Sequence, residues 1–348
     1  MPPITNSLHS GSVPVISAPH PLATQDFIAT ASKTEDIKNF RSTVRAMCST
    51  CLKVDNGEDS AKKLRRCGTC KSVWYCSKQC QKEDWPEHKL YCSEVDGSGI
   101  ARLLENLYSN EVLHHHLQAC FILHFDLLND PHSDRMFMAR FDVAIEPTDM
   151  SNFLAIFRGE KSKLGMNEKM EGMLQINSVS LIRPTDPLFR SSTIQNMWRR
   201  ERTKADADPV SAGRSIGMME FGNGDGNHTI TFAVHIVPAA LHLVQKSEPW
   251  IVKDPITGQE TLLPFNIDSC LEYMNMHIRA DKKNQLLLRA HMRPSDVQII
   301  RDAGAGVDGR AANFMIDKMC RESVFTTLLA GPKGARYVPI VDSGVKLK

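Results

Sequence analysis

CGTCKSVWYCSKQCQKEDWPEHKLYC, residues Cys67 to Cys92, carries five of the chain's ten cysteines and decides how this part of the protein folds. Upstream stands one more pair, Cys48-x2-Cys51. Downstream the cysteines Cys120, Cys270 and Cys320 are scattered. The ligand string is therefore Cys48-x2-Cys51, Cys67-x2-Cys70, Cys76-x3-Cys80 and His88-x3-Cys92. A structural zinc takes four ligands in a tetrahedron and prefers thiolate and imidazole, so eight donors in four pairs suit two ions with no open position for an activated water. The competing reading is a small core of buried or disulfide-bonded cysteines. It is disfavoured because the chain lacks secretory features: its first lysine or arginine is Lys33, and no apolar run reaches the roughly 18–20 residues that cross a bilayer. The expected compartment is cytosol or nucleus, where thiols stay reduced.

Spacing also predicts local structure. A Cys-x2-Cys pair at a tight turn aims both sulfurs at one metal. Cys76 and Cys80, like His88 and Cys92, stand four apart and fall on one face of a helix. Ser77 is placed to cap a first short helix. Asp84 is placed to cap a second, with Glu87 three residues on and Pro86 tolerated in the first turn. The expectation is two short helices.

These residues resemble the MYND finger, through Tyr75-Cys76-Ser77, Cys80-Gln81, and Trp85 with His88-Lys89. The resemblance implies a cross-brace of alternating pairs, in which Cys48, Cys51, Cys76 and Cys80 hold one structural zinc and Cys67, Cys70, His88 and Cys92 the other. It also implies a module that takes proline-containing peptides, for which Gln81, Trp85 and Lys89 are the candidate surface. The bland role of Trp85 is helix packing. The stretch from Leu52 to Arg66 is longer than is usual in that family. A longer loop costs only a few tenths of a kcal/mol in closure entropy.

The rest of the 348 residues divides around this module. Residues 1–44 read as a disordered or linking segment, rich in Pro, Ser and Thr at first, with a short helix before the finger. Pro19-His20-Pro21-Leu22 is a candidate peptide for the chain's own finger. The finger occupies 45–95. Residues 100–340 read as one α+β domain, so the fold class is a small two-zinc finger followed by an α+β domain. IARLLENLYSNEVLHHHLQACFILHFDLL reads as one or two helices, and helical patterns return in IDSCLEYMNMHIRADKKNQLLLRAHM and ANFMIDKMCRESVFTTLLA. MFMARFDVAIEP, VSLIRP and YVPIV read as strands. Ile230, Phe232, Val234 and Ile236 alternate as in a half-buried strand, after a glycine-rich turn in FGNGDGN. The layout is similar to that of fungal MYND-finger proteins with an uncharacterised domain after the finger.

Charge excludes a strong pull toward nucleic acid. The whole chain carries +2. From Arg45 to Glu94 ten basic residues face seven acidic ones, and seven thiolates with two zinc ions bring the loaded module near zero. The expected function is a zinc-binding protein-interaction adaptor, of the kind that serves transcriptional regulation, and not an enzyme. The alternative is a SET–MYND-like lysine methyltransferase. It is disfavoured: a glycine-rich cofactor segment is missing ahead of the finger, where Gly11 stands alone, and Gly226-Asn227-His228-Thr229 lacks the following cysteine of the cofactor motif. His114, His115 and His116 point three ways on a helix and read as partly exposed positions. Asp225 and His228 have no nucleophile beside them. Cys120, Cys270 and Cys320 read as core residues.

Overall fold

A computed structural model describes residues 21–43, 48–51, 53, 64–69, 73–89, 92, 100–160, 170–223, 229–253 and 260–325. Most of the lead-in, Cys70, the tip of FGNGDGN with Asp225 and His228, and YVPIV lie outside them. In chain order the elements begin with α1 (Pro21–Thr30), α2 (Thr34–Thr43), β1 (Arg65–Arg66), β2 (Trp74–Tyr75) and α3 (Lys78–His88). Then come α4 (Ile100–Tyr108), α5 (Glu111–Phe125), β3 (Phe137–Pro147), α6 (Met150–Phe157), β4 (Glu171–Leu181), α7 (Ser192–Ala207) and β5 (Ile216–Asn223). The described chain closes with β6 (Thr229–His235), α8 (Pro238–Lys246), β7 (Trp250–Lys253), β8 (Glu260–Leu263), α9 (Ile267–Ala280), β9 (Arg289–His291), α10 (Pro294–Ala305) and α11 (Arg310–Arg321). None of the described helices is long and apolar enough to cross a membrane.

The α+β domain is built around β3. Its alternate residues Phe137, Ala139, Phe141, Val143 and Ile145 enter the main core, under α4, α5, α8 and α9. The residues between them face the other way: Met138 packs with Ile194 and Met197 of α7, and Ala144 with α6, α10 and α11. The sheet order is β6-β5-β3-β4-β9, with β3 and β5 parallel and every other pair antiparallel. Helices thus cover both faces. The alternation in ITFAVH marks β6, the edge strand. VSLIRP overlaps β4 only as far as Leu181, and the strand extends back to Glu171. IGMMEFGN, which shows no alternation, is β5; it is buried along its whole length and parallel to β3, and a strand covered on both faces has no polar side to alternate.

Residues 21–43 form two helices, where one short helix in a linker was expected. Phe27 and Ile37, the latter fully buried, enter the main core of the domain that follows the finger. Tyr273 donates to Asp26 at 2.7 Å, Thr34 donates to the Gln285 carbonyl at 2.8 Å, and the Glu111 backbone donates to Ser32 at 3.1 Å. The finger therefore sits between two stretches of one core. Pro21 opens α1, a position that suits its fixed φ, so Pro21-Leu22 is not part of an extended peptide.

One face of the sheet buries charge. Lys318 of α11 is fully enclosed and pairs with Glu146 of β3; Arg279 of α9 reaches Glu322 at 2.8 Å, and Asn275 donates to the same carboxylate at 2.5 Å. Lys318, Glu146, Arg279 and Glu322 thus each have an opposite partner, which offsets the cost of burying them.

Of the histidine run, all three are half-buried in α5, in keeping with the expectation. The His116 ring stacks on Tyr273 at 4.2 Å and the His114 ring lies 4.3 Å from Tyr108. Burial pushes the imidazoles of His114 and His116 down from 6.5 to about 4. The unfolded chain then binds protons that the folded chain refuses, so stability is lost as pH falls from about 6.5 toward 4. The urea midpoint of the domain is expected to drop across that window, and His116→Gln to flatten the slope. A midpoint independent of pH there would refute it.

Candidate metal centre

Short backbone devices place the ligands. The antiparallel β1–β2 pairing sets Arg65 opposite Tyr75 and Arg66 opposite Trp74, so Cys67 and Cys76 leave opposite ends of a small hairpin, one toward each group of donors. The Cys67 backbone N–H donates to the Val73 carbonyl at 2.8 Å, and the Cys48 N–H to the Lys53 carbonyl at 2.9 Å, each closing a turn around a ligand. Thr50 donates its hydroxyl to the Cys80 carbonyl at 2.7 Å and ties the first turn to α3. Ser77 accepts from the Cys80 N–H at 3.1 Å, the capping bond expected of it.

The expected pair of helices is one continuous helix, α3, with Pro86 inside it. Asp84 does not cap a second helix; its carboxylate accepts the Tyr75 hydroxyl at 2.5 Å. Pro86 leaves the Lys82 carbonyl without its helical donor, and Lys82 is exposed, where water can serve instead. The helix consequently spans both clusters, with Cys80 in its first turn and His88 in its last.

Two groups of donors form. Cys48, Cys51, Cys76 and Cys80 bring their sulfurs within 4.8 Å of one another, and so do the donors of Cys67, His88 and Cys92. Within the first group Cys51 and Cys76 stand 3.4 Å apart and Cys76 and Cys80 3.5 Å; in the second Cys67 and Cys92 stand 3.7 Å apart. These are not disulfides. Four sulfurs at about 2.3 Å from a tetrahedral zinc lie roughly 3.8 Å from each other, so the spacing fits the ion. Cys70, expected as the fourth ligand of the second group, lies outside the described residues.

Electrostatics support a cation. Burial raises the Cys48 thiol, yet hydrogen bonds from the backbone N–H groups of Cys51, Cys76 and Thr50 outweigh it and bring the thiol down to about 7. Cys76 moves the opposite way, pushed up to about 12 by burial and by its sulfur neighbours Cys51 and Cys80. Four crowded thiols cannot all ionise without positive charge among them, and a divalent ion supplies it.

The candidate peptide residues follow one face of α3. Gln81 is half-buried, Trp85 is 44% exposed and Lys89, just past the helix, is exposed. The Trp85 ring meets the His88 ring edge-on at 5.9 Å, so its inner edge packs on a ligand while the remainder faces solvent. The finger is joined to the domain by Arg66, which lies 4.4 Å over the Trp74 ring and 3.2 Å from Glu105 of α4. Elsewhere, Cys120 and Cys270 are buried as expected, but Cys320 is exposed: α11 is amphipathic, and Met315 and Met319 occupy its inner face instead. Glu146, Lys318 and Glu272 gave no sequence signal, since each looks like an ordinary polar position in its element.

Soft ligands in two clusters about one helix make this a MYND-type zinc-finger protein, and the MYND finger profile matches residues 48–92. The chain belongs to the family described as "Domain of unknown function (DUF8205)", which matches residues 95–325. Curated relatives are similar over the finger region. The "SET domain and MYND-type zinc finger protein 6" of Schizosaccharomyces pombe is 43% identical over 68 residues, covering 18% of this chain and 13% of that protein. The human "N-lysine methyltransferase SMYD2" is 40% identical over 58 residues, covering 15% of this chain and 13% of that enzyme. The chain thus spans about an eighth of the length of these relatives. No solved structure matches it.

Proposed function

We propose that this chain is an adaptor whose finger, locked by two structural zinc ions in crossed pairs, presents one face of α3 to a proline-containing segment of a partner protein. Cys48, Cys51, Cys76 and Cys80 hold one ion, and Cys67, Cys70, His88 and Cys92 the other. The observation that carries the reading is the exposure of Trp85 on a helix anchored in both ligand clusters. A rigid module loses little entropy on binding, and an extended proline peptide is already partly ordered. Trp85 stacks on a proline ring, Gln81 hydrogen-bonds the peptide backbone, and Lys89 selects acidic flanks. The patch is small, so affinity is weak, on the order of micromolar. A role in transcriptional regulation in cytosol or nucleus fits such an adaptor.

The methyltransferase names belong to relatives that match this chain over the finger, and the adaptor reading assigns no catalysis to residues 100–325. Saturable binding of S-adenosylmethionine would overturn that assignment. For the surface itself, titrating the labelled full chain with a panel of proline-rich peptides should shift the Gln81, Trp85 and Lys89 resonances. Trp85→Ala should weaken the best peptide about tenfold, the effect of losing an aromatic anchor worth roughly 1–2 kcal/mol. Zinc content should stay the same. Unmoved resonances across the panel would make the finger a structural staple.

A further inference from the structure

The hairpin β7–β8 stands apart from the main sheet, and among the described residues each of its strands has the other as its strand partner. Its register sets Ile251 directly opposite Leu262, so the two share a face. Both are exposed, Ile251 by 49% and Leu262 by 66%. A two-stranded ribbon is marginal in water by itself and is stabilised by a further strand or a packed helix. We propose that residues 337–341 of the same chain, YVPIV, add to this hairpin as a third strand beside β8, with Val338 and Ile340 extending the face of Leu262 and Ile251.

The fold delivers this segment to the right place. Leu263 and Pro264, at the end of β8, share the wall of one cavity with Glu272 of α9 and with Cys320 and Arg321, the last residues of α11. The chain then runs on beside α9, where the Ser323 backbone donates to Glu272 at 2.8 Å, and Phe325 is fully buried against Phe153. Residues 326–348 follow from there. Val338 stands thirteen positions after Phe325, a stretch that spans up to roughly 40 Å when extended. Gly331, Pro332 and Gly334 lie within it and suit a reversal of direction.

The segment's own chemistry fixes how it pairs. Tyr337, Val338, Ile340 and Val341 favour strands. Pro339 has no N–H to give a ladder, and a strand tolerates it at an edge where that position points away from the neighbour. Residues 338 and 340 then point their backbone groups at β8, and the period of two puts both side chains on one face. Tethering also favours this occupant over a second copy of the chain. The exposed pair is far smaller than the interface of a stable dimer, whereas a linked segment meets it at high effective concentration.

Hydrogen exchange of the zinc-loaded full chain, read by mass spectrometry, tests the pairing. The amides of Val338 and Ile340 should exchange at least tenfold more slowly than those of an unstructured chain, at a rate independent of protein concentration. Ile340→Asp should speed exchange across Glu260–Leu263 at least tenfold and leave β3 unchanged. Leu262→Asp should speed exchange at residues 337–341 by a similar factor. Should Leu262→Asp unfold the hairpin itself, Ile340→Asp alone decides. Pro339→Ala should keep the protection, since the restored N–H points away from β8. Unprotected amides at 338 and 340, or unaltered exchange of β8 in the Ile340→Asp chain, would overturn the proposal. So would protection that grows with protein concentration, which assigns the face to a second copy.

Discussion

Stripping the metal with a strong chelator is expected to release two zinc ions per chain and to unfold residues 48–92, while the α+β domain keeps its thermal transition. Apart from metal ligands, the finger buries little: Leu64 and Tyr75 are its fully buried apolar residues among those described. A segment this short with so small a core cannot offset the entropy of ordering its backbone. Each structural zinc contributes on the order of 10 kcal/mol, more than any other contact in the module. The domain is different, since its clusters draw on both sheet faces and ten helices of the described chain. Cys76→Ser should lower the stoichiometry to one and collapse the hairpin–helix junction, where Cys76 follows β2 and precedes α3. Elemental analysis and circular dichroism check both. A wild-type content near zero or one would sink the two-site arrangement, and loss of the domain's transition along with the finger's would show that the two do not fold separately.

Removing the first 43 residues is expected to destabilise the domain that begins on the far side of the finger. The family match starts at residue 95, yet the core starts at Phe27. Without α1 and α2, the pocket filled by Phe27 and Ile37 opens, Tyr273 loses its acceptor Asp26, and the Gln285 carbonyl loses Thr34. Ile37→Ala alone should cost about 2–5 kcal/mol, the price of a large aliphatic removed from a closed core. Urea denaturation of the full chain measures this directly. A chain beginning at residue 95 with an unchanged transition would show that the two helices merely rest on the domain.

How far these conclusions were legible in the sequence depends on the range of the physics behind each residue. Cys48 through Cys92 could be read directly, because ligand pairs act through neighbours two to four positions away and because sulfur and imidazole declare their preference for zinc by chemistry. The alternation in β6 could be read for the same reason: a half-buried strand repeats every two residues. Asp84 misled, because its capping geometry was correct in sequence but Tyr75, nine residues earlier, draws its carboxylate away. Ile37 lay in a segment that looks like linker, and nothing local shows that a core lies beneath it.

By itself, then, the sequence determined the finger, the cysteines and histidine that gather in it as candidate ligands, and a mixed helix and sheet domain behind it. Tertiary structure alone decided that α1 and α2 belong to that domain, that Lys318 is buried, and that Glu272 lines a cavity. Lys318 looks like a surface lysine on an amphipathic helix, and is enclosed because Glu146, 172 positions earlier, meets its charge. Short-range order follows from the identity of nearby residues, whereas the cost of burying a charge is settled by partners that only the folded chain brings together.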